Sequence, residues 1–132
     1  MVDQPLVAVI DDDESVRRAL ASLLRSLGMV VQTFSGAEAF LLSPASGEAA
    51  CLIVDLQMPD MGGLELQERL LALGHRFPII FITAFPDAKL RERALAVGAV
   101  AFLAKPFAAQ ELICCIEAAL QVGRGICPDG NA

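Results

Sequence analysis

Leu6–Ile10, LVAVI, runs straight into Asp11-Asp12-Asp13-Glu14, and the reading of that junction decides the fold. Five apolar residues without period-two alternation read as a strand covered on both faces, as in a parallel sheet. Four more runs of this kind stand at Val30–Phe34, Cys51–Val54, Ile79–Ile82 and Val100–Leu103.

The stretches between these runs have helical spacing. Val16, Leu20, Leu23, Leu24 and Leu27 fall on one face, and Gly28 stops that helix. Ser35 is the expected cap of a short helix over Ala37–Leu42, followed by a polar loop around Ser43–Glu48. A third helix is predicted over Leu64–Leu73 with Gly74 past its end, and a fourth over Ala88–Val97, capped by Asp87 and ended by Gly98. The last, Ala108–Gln121, should bury Leu112, Ile113, Ile116 and Leu120. Strand and helix alternating five times define an α/β fold, with right-handed crossovers placing helices on both faces. The most economical arrangement is a flavodoxin-like, doubly wound five-stranded parallel sheet of order 2-1-3-4-5.

Composition sets the outer bounds. The 132 residues suffice for one domain with a hydrophobic core. Although 55% of them are hydrophobic and mean hydropathy is +0.58, no apolar run approaches the roughly 20 residues of a membrane span. The acidic start does not resemble a secretory signal. These features predict a cytoplasmic protein without a membrane role. The net charge of −6, from 10 basic and 16 acidic residues, argues against direct nucleic-acid binding. Cys51, Cys114, Cys115 and Cys127 have neither metal-site nor disulfide-framework spacing and are expected as reduced thiols, Cys127 the most exposed.

Polar residues stand at the carboxyl ends of four predicted strands: Asp11 and Asp12 after the first, Asp55 after the third, Thr83 after the fourth and Lys105 after the fifth. In an open parallel sheet these ends share one edge, where ligands bind. Three carboxylates against one lysine would raise one another's pKa unless a cation joined them. Magnesium is the best match, since it takes carboxylates, waters and phosphate oxygens. A lysine and a hydroxyl can hold phosphate oxygens, and a carboxylate can act as a covalent nucleophile. The set suits phosphoryl transfer, where positioning and charge neutralisation dominate.

The segments VAVIDDDESVRRAL, LIVDLQMPDMGGLEL, IIFITA and GAVAFLAKPF, in that order, resemble the receiver domains of two-component response regulators over about Leu6–Gln121. The resemblance is nearest to receivers of the nitrogen-fixation regulator type, which usually precede a helix-turn-helix output domain. It implies a signalling switch that catalyses only its own phosphorylation and dephosphorylation. Asp55 would accept a phosphoryl group from a sensor histidine kinase. Asp11, Asp12, Asp55 and the backbone carbonyl of Gln57 would hold Mg2+, and Lys105 would bind phosphate. Thr83 and Phe102 would be the switch pair, and Lys105–Pro106 a cis peptide. The surface of the fourth helix, fifth strand and fifth helix would change, to control a C-terminal DNA-binding output domain, a downstream partner or a homodimer. Residues 1–121 would form the receiver, and 122–132 a flexible tail or the start of a linker.

Other residues near the site carry plainer readings. Asp13 and Glu14 suit a helix start, and Asp60 a structural turn. Gly62 and Gly63 suit backbone freedom, and His75 the surface. Two departures from the family pattern stand out: Phe rather than Tyr at 102, and Phe85-Pro86 after Thr83-Ala84. Gln57, Phe85 and Pro86 are therefore expected to modulate the lifetime of the phosphoryl group. A haloacid-dehalogenase-like phosphatase would show DxDx[TV], whereas Gln57 stands two residues after Asp55. A flavin binder would need a Ser/Thr/Gly-rich loop after the first strand and aromatic walls. Here the loop is acidic and Trp and Tyr are absent.

Overall fold

The elements follow in the order β1 (Leu6–Ile10), α1 (Glu14–Ser26), β2 (Val30–Phe34), α2 (Ala37–Leu41), β3 (Cys51–Asp55), α3 (Gly63–Ala72), β4 (Ile79–Thr83), α4 (Ala88–Ala96), β5 (Ala101–Ala104) and α5 (Ala109–Gly123). A 3-10 turn, Pro44–Gly47, follows α2 inside the expected polar loop. This computed structural model describes residues 5–59 and 61–123. Every strand pairing is parallel, and the order is β2-β1-β3-β4-β5. The doubly wound topology expected from the sequence is the one observed.

The strands are apolar throughout because successive residues serve different cores. Ala8, Ile10, Leu52, Val54 and Phe81 face a cluster with Phe40 of α2, Leu66 and Leu70 of α3 and Ala94 of α4. Val7, Val9, Ile53, Ile80 and Ile82 face the other, with Leu20 and Leu24 of α1 and Leu112 and Ile116 of α5. Each fully buried Leu or Ile contributes about 1.5–3 kcal/mol. Double coverage holds for β1, β3 and β4 but not for the edges. In β2, Gln32 and Thr33 are exposed, and β5 is only half-buried. In α5, Ile113 and Leu120 are half-buried rather than buried.

Helix ends follow local chemistry. Asp13 caps α1, accepting from the Ser15 amide at 2.8 Å, and Asp87 caps α4 through the Lys89 amide at 2.8 Å. Gly28, Gly74 and Gly98 take φ of 86°, 85° and 103° just past α1, α3 and α4, the left-handed region that favours glycine. Ser35 does not cap α2. The N-cap is Gly36, with no side-chain hydrogen bond. Gly62 and Gly63 also differ from expectation. Gly62 has φ of −73°, so freedom is not what is needed there. A Cβ at Gly62 would lie 2.9 Å from the Leu56 carbonyl, and one at Gly63 would lie 2.9 Å from both the Asp55 carbonyl and the Phe81 ring. The glycines let α3 begin hard against the end of β3. The last helix runs two residues past its expected end at Gln121, through Val122 and Gly123. Residues 124–132, with Cys127, lie outside the described residues, as does Asp60.

Candidate functional site

Sheet register delivers the polar residues to one edge. Ile10 lies opposite Val54, Asp55 opposite Ile82, and Thr83 opposite Ala104. Asp11, Asp55, Thr83 and Lys105 therefore end or follow adjacent strands. Asp11 is fully buried and Asp12 is exposed. The Asp11 Oδ1 accepts from the Asp13 amide at 2.9 Å, and the Arg17 guanidinium donates to the Asp11 carbonyl at 2.7 Å. Asp55 is buried, its Oδ1 accepting from the Gln57 amide at 3.0 Å. Asp11, Asp12 and Asp55 each present a carboxylate oxygen within 4.8 Å of the others. The Lys105 ammonium lies 3.0 Å from Asp11 Oδ2 and 3.5 Å from Asp55 Oδ2. The Lys105–Pro106 peptide is cis.

Charge in this cluster is under-compensated. Burial pushes the Asp55 carboxyl up to about 6 from 3.8; the charge of Asp11 adds to this, while the Gln57 amide and Lys105 oppose it. Burial alone would lower the Lys105 pKa, but the hydrogen bond and charge of Asp11, followed by those of Asp55, outweigh it and the net shift is upward. Three hard oxygen donors within reach of one centre, with one ammonium among them, fit a divalent cation of the magnesium type.

Thr83 is fully buried. Its hydroxyl donates to the side-chain carbonyl of Gln57 and accepts from the Phe85 amide at 3.0 Å. Neither the Gln57–Thr83 pair nor the bracing of Asp11 by Arg17 carries a signal in residue spacing. Both depend on side-chain rotamers. Phe102 stands outside the polar cluster, opposite Phe81 on β5 and packed, with Leu90, against the apolar core. Phe85 is 72% exposed and Pro86 is exposed. Met58 is buried, and it lines a cavity of about 520 Å3 with Asp12, Glu38, Met61, Glu65 and Arg69 beside the acidic cluster. His75 is partly buried and stacks on Phe77.

The thiols lie elsewhere. Cys51 is buried, Cys115 half-buried and Cys114 exposed, all three unpaired. Burial pushes the Cys51 thiol up to about 12. Among the described residues no helix is long and apolar enough to cross a membrane.

A doubly wound sheet with an acidic cluster and a lysine at its carboxyl edge has the make-up of a two-component signalling module. The response regulator receiver domain model matches residues 7–117, and the chain belongs to that family. The response regulator protein TodT of Pseudomonas putida is 43% identical over 117 residues, covering 89% of this chain and 52% of that protein. The transcriptional regulatory protein FixJ of Azorhizobium caulinodans is 40% identical over 114 residues, covering 86% of this chain and 54% of that one. The chain thus spans about half the length of the curated relatives it matches. Among solved structures, the response regulator StyR superposes with a TM-score of 0.86 at 46% identity, over 93% of this chain and 62% of that chain.

Proposed function

We propose that this chain is a phosphorylation switch whose acceptor is Asp55. The reading is carried by one observation: the buried Asp55 carboxylate lies within 4.8 Å of those of Asp11 and Asp12, and Lys105 lies between Asp11 and Asp55. An Asp55 oxygen attacks phosphorus, the bond from phosphorus to the donor breaks, and the leaving group departs with the electron pair. For a histidine kinase donor that leaving group is the imidazole ring, which takes up one proton as it departs and ends as neutral imidazole. Asp11, Asp12, Asp55 and the Gln57 carbonyl would hold Mg2+, which when bound neutralises charge on the phosphoryl oxygens. Lys105 takes a phosphoryl oxygen as its partner, and the Asp55 Oδ1 is oriented by the Gln57 amide. Thr83 supplies a hydroxyl to another oxygen.

The incoming group adds about −1.5 to −2 charge, which shifts an existing equilibrium rather than building a new fold. Thr83 and the segment before α4 move toward the phosphoryl group, and Phe102 follows. The altered face is α4, β5 and α5. Its readers are an output domain, a downstream protein or a second receiver. A C-terminal DNA-binding output is supported by relatives about twice as long, among them the transcriptional regulatory protein TdiR of Thauera aromatica. The receiver unit comprises residues 1–121, working in the cytoplasm.

The test is incubation with a small acyl-phosphate donor and Mg2+, followed by intact mass and mapping of the modified residue. One phosphoryl group on Asp55, lost in Asp55→Asn, is the expected result. Modification elsewhere, or none, overturns the reading.

A further inference from the structure

The Thr83 hydroxyl already has a partner. It has one proton to give, and that proton goes to the Gln57 side-chain carbonyl. The Phe85 N–H donates to one lone pair of Thr83 Oγ1 at 3.0 Å, and the Gln57 oxygen facing the hydroxyl gives its proton an acceptor. Gln57 is tied at its other end as well, its backbone N–H donating to Asp55 Oδ1 at 3.0 Å. A continuous hydrogen-bonded chain therefore runs from Asp55 through Gln57 and Thr83 to Phe85, two residues before the α4 cap Asp87.

We propose that Gln57 is a positioning residue that latches Thr83 in the unphosphorylated arrangement, so that loading of Asp55 must displace the Gln57 amide before the Thr83 hydroxyl can reach a phosphoryl oxygen. This rests on the reading of Asp55 as the acceptor. The geometry makes the latch releasable. Gln57 is exposed while Thr83 is fully buried, so water can take over the freed amide at the rim. Turning the Thr83 side chain also withdraws the acceptor from the Phe85 amide. Release of the latch and movement of the exposed Phe85 segment are then one event. The latch opposes activation by the net strength of a single neutral hydrogen bond, equivalent to about 2- to 12-fold in an equilibrium constant.

Gln57→Met keeps the side-chain length and removes the acceptor, whereas Gln57→Glu retains an acceptor. Three-bond couplings from the Thr83 methyl carbon, measured on the unphosphorylated protein, report its rotamer. Wild type and Gln57→Glu should hold one rotamer, and Gln57→Met should average over more than one. Titration with beryllofluoride and Mg2+, followed through the Phe85 amide resonance, should show Gln57→Met binding about 2- to 12-fold more tightly than wild type. A Thr83 rotamer in Gln57→Met as fixed as in wild type would overturn the latch. So would beryllofluoride affinity that is unchanged or weaker in Gln57→Met while wild type binds. Failure of wild type to bind beryllofluoride would instead overturn the acceptor reading, and the latch with it.

Discussion

Replacing Asp55 by Asn should stabilise the protein, by an amount the site's electrostatics allow to be worked out. The Asp55 carboxyl is raised from 3.8 to about 6, first by burial. A raised acid pKa means that the folded state holds a proton which the unfolded state releases more readily. The associated stability is fully present below the unfolded value of about 3.9 and is lost as pH rises through about 6. At pH 7.5 the ionised carboxylate then costs about 3 kcal/mol, at 1.36 kcal/mol per unit. The side chain is 8% exposed, so solvent screens little of this. Asn stands in for the neutral form. Asp55→Asn should therefore exceed wild type by a margin that is small near pH 4.5 and grows to about 3 kcal/mol at pH 7.5. For a domain of this size the last figure is a rise in Tm of about 8–12 °C. Thermal melts by circular dichroism in chelator-containing buffer across this pH range make the measurement. Added Mg2+ should narrow the gap, because it stabilises only the protein that binds it. Equal midpoints at pH 7.5 in chelator, or a gap that does not change with pH, would refute the reasoning.

Phe85 places an exposed ring on the segment hydrogen-bonded to Thr83, so Phe85→Ala should shorten the phosphoryl half-life by admitting water, read by the decay of the phosphorylated mass; no acceleration counts against this. Gly63→Ala, whose Cβ would sit 2.9 Å from the Asp55 carbonyl and the Phe81 ring, should lose about 1–3 kcal/mol in urea unfolding. Gly47→Ala, facing open space, should stay within about 0.5 kcal/mol. Maleimide should label Cys114 in the native protein and Cys51, whose thiol is held up at about 12 by burial, only on unfolding.

The strand order and the glycine-marked ends of α1, α3 and α4 could be read from the sequence because their causes are local or topological. Gly28, Gly74 and Gly98 mark ends that need positive φ, and a run such as Cys51–Val54 can be buried on both faces without help from distant residues. Coverage of the edges was not fully legible: Val100–Leu103 has nearly the composition of an interior strand, and in Val30–Phe34 two polar residues interrupt an otherwise apolar run. Only the sheet order leaves Gln32 and Thr33 in water. The glycines before α3 were legible as needed but not as to why. Their role is to make room for the Asp55 and Leu56 carbonyls, and those contacts exist only once α3 has docked.

The same division runs through the site. Strand-end position placed Asp11, Asp55, Thr83 and Lys105 on one edge, since parallel register leaves no other outcome. Register does not decide which atoms of those residues meet. Lys105 could have favoured either carboxylate, yet it lies nearer Asp11, whose Oδ1 is fixed by the Asp13 amide and whose carbonyl is held by Arg17. Asp55 is left with the longer ionic contact and a pKa of about 6. Asp55 is thus the buried carboxylate with the weaker ionic contact, and its neighbour Gln57 also holds the Thr83 hydroxyl. On the proposed reading, a cation or a phosphoryl group at Asp55 would sit at the start of the hydrogen-bonded path that runs through Gln57 and Thr83 to Phe85. Such a path would let a charge change at Asp55 reach Phe85 through the buried Thr83 hydroxyl.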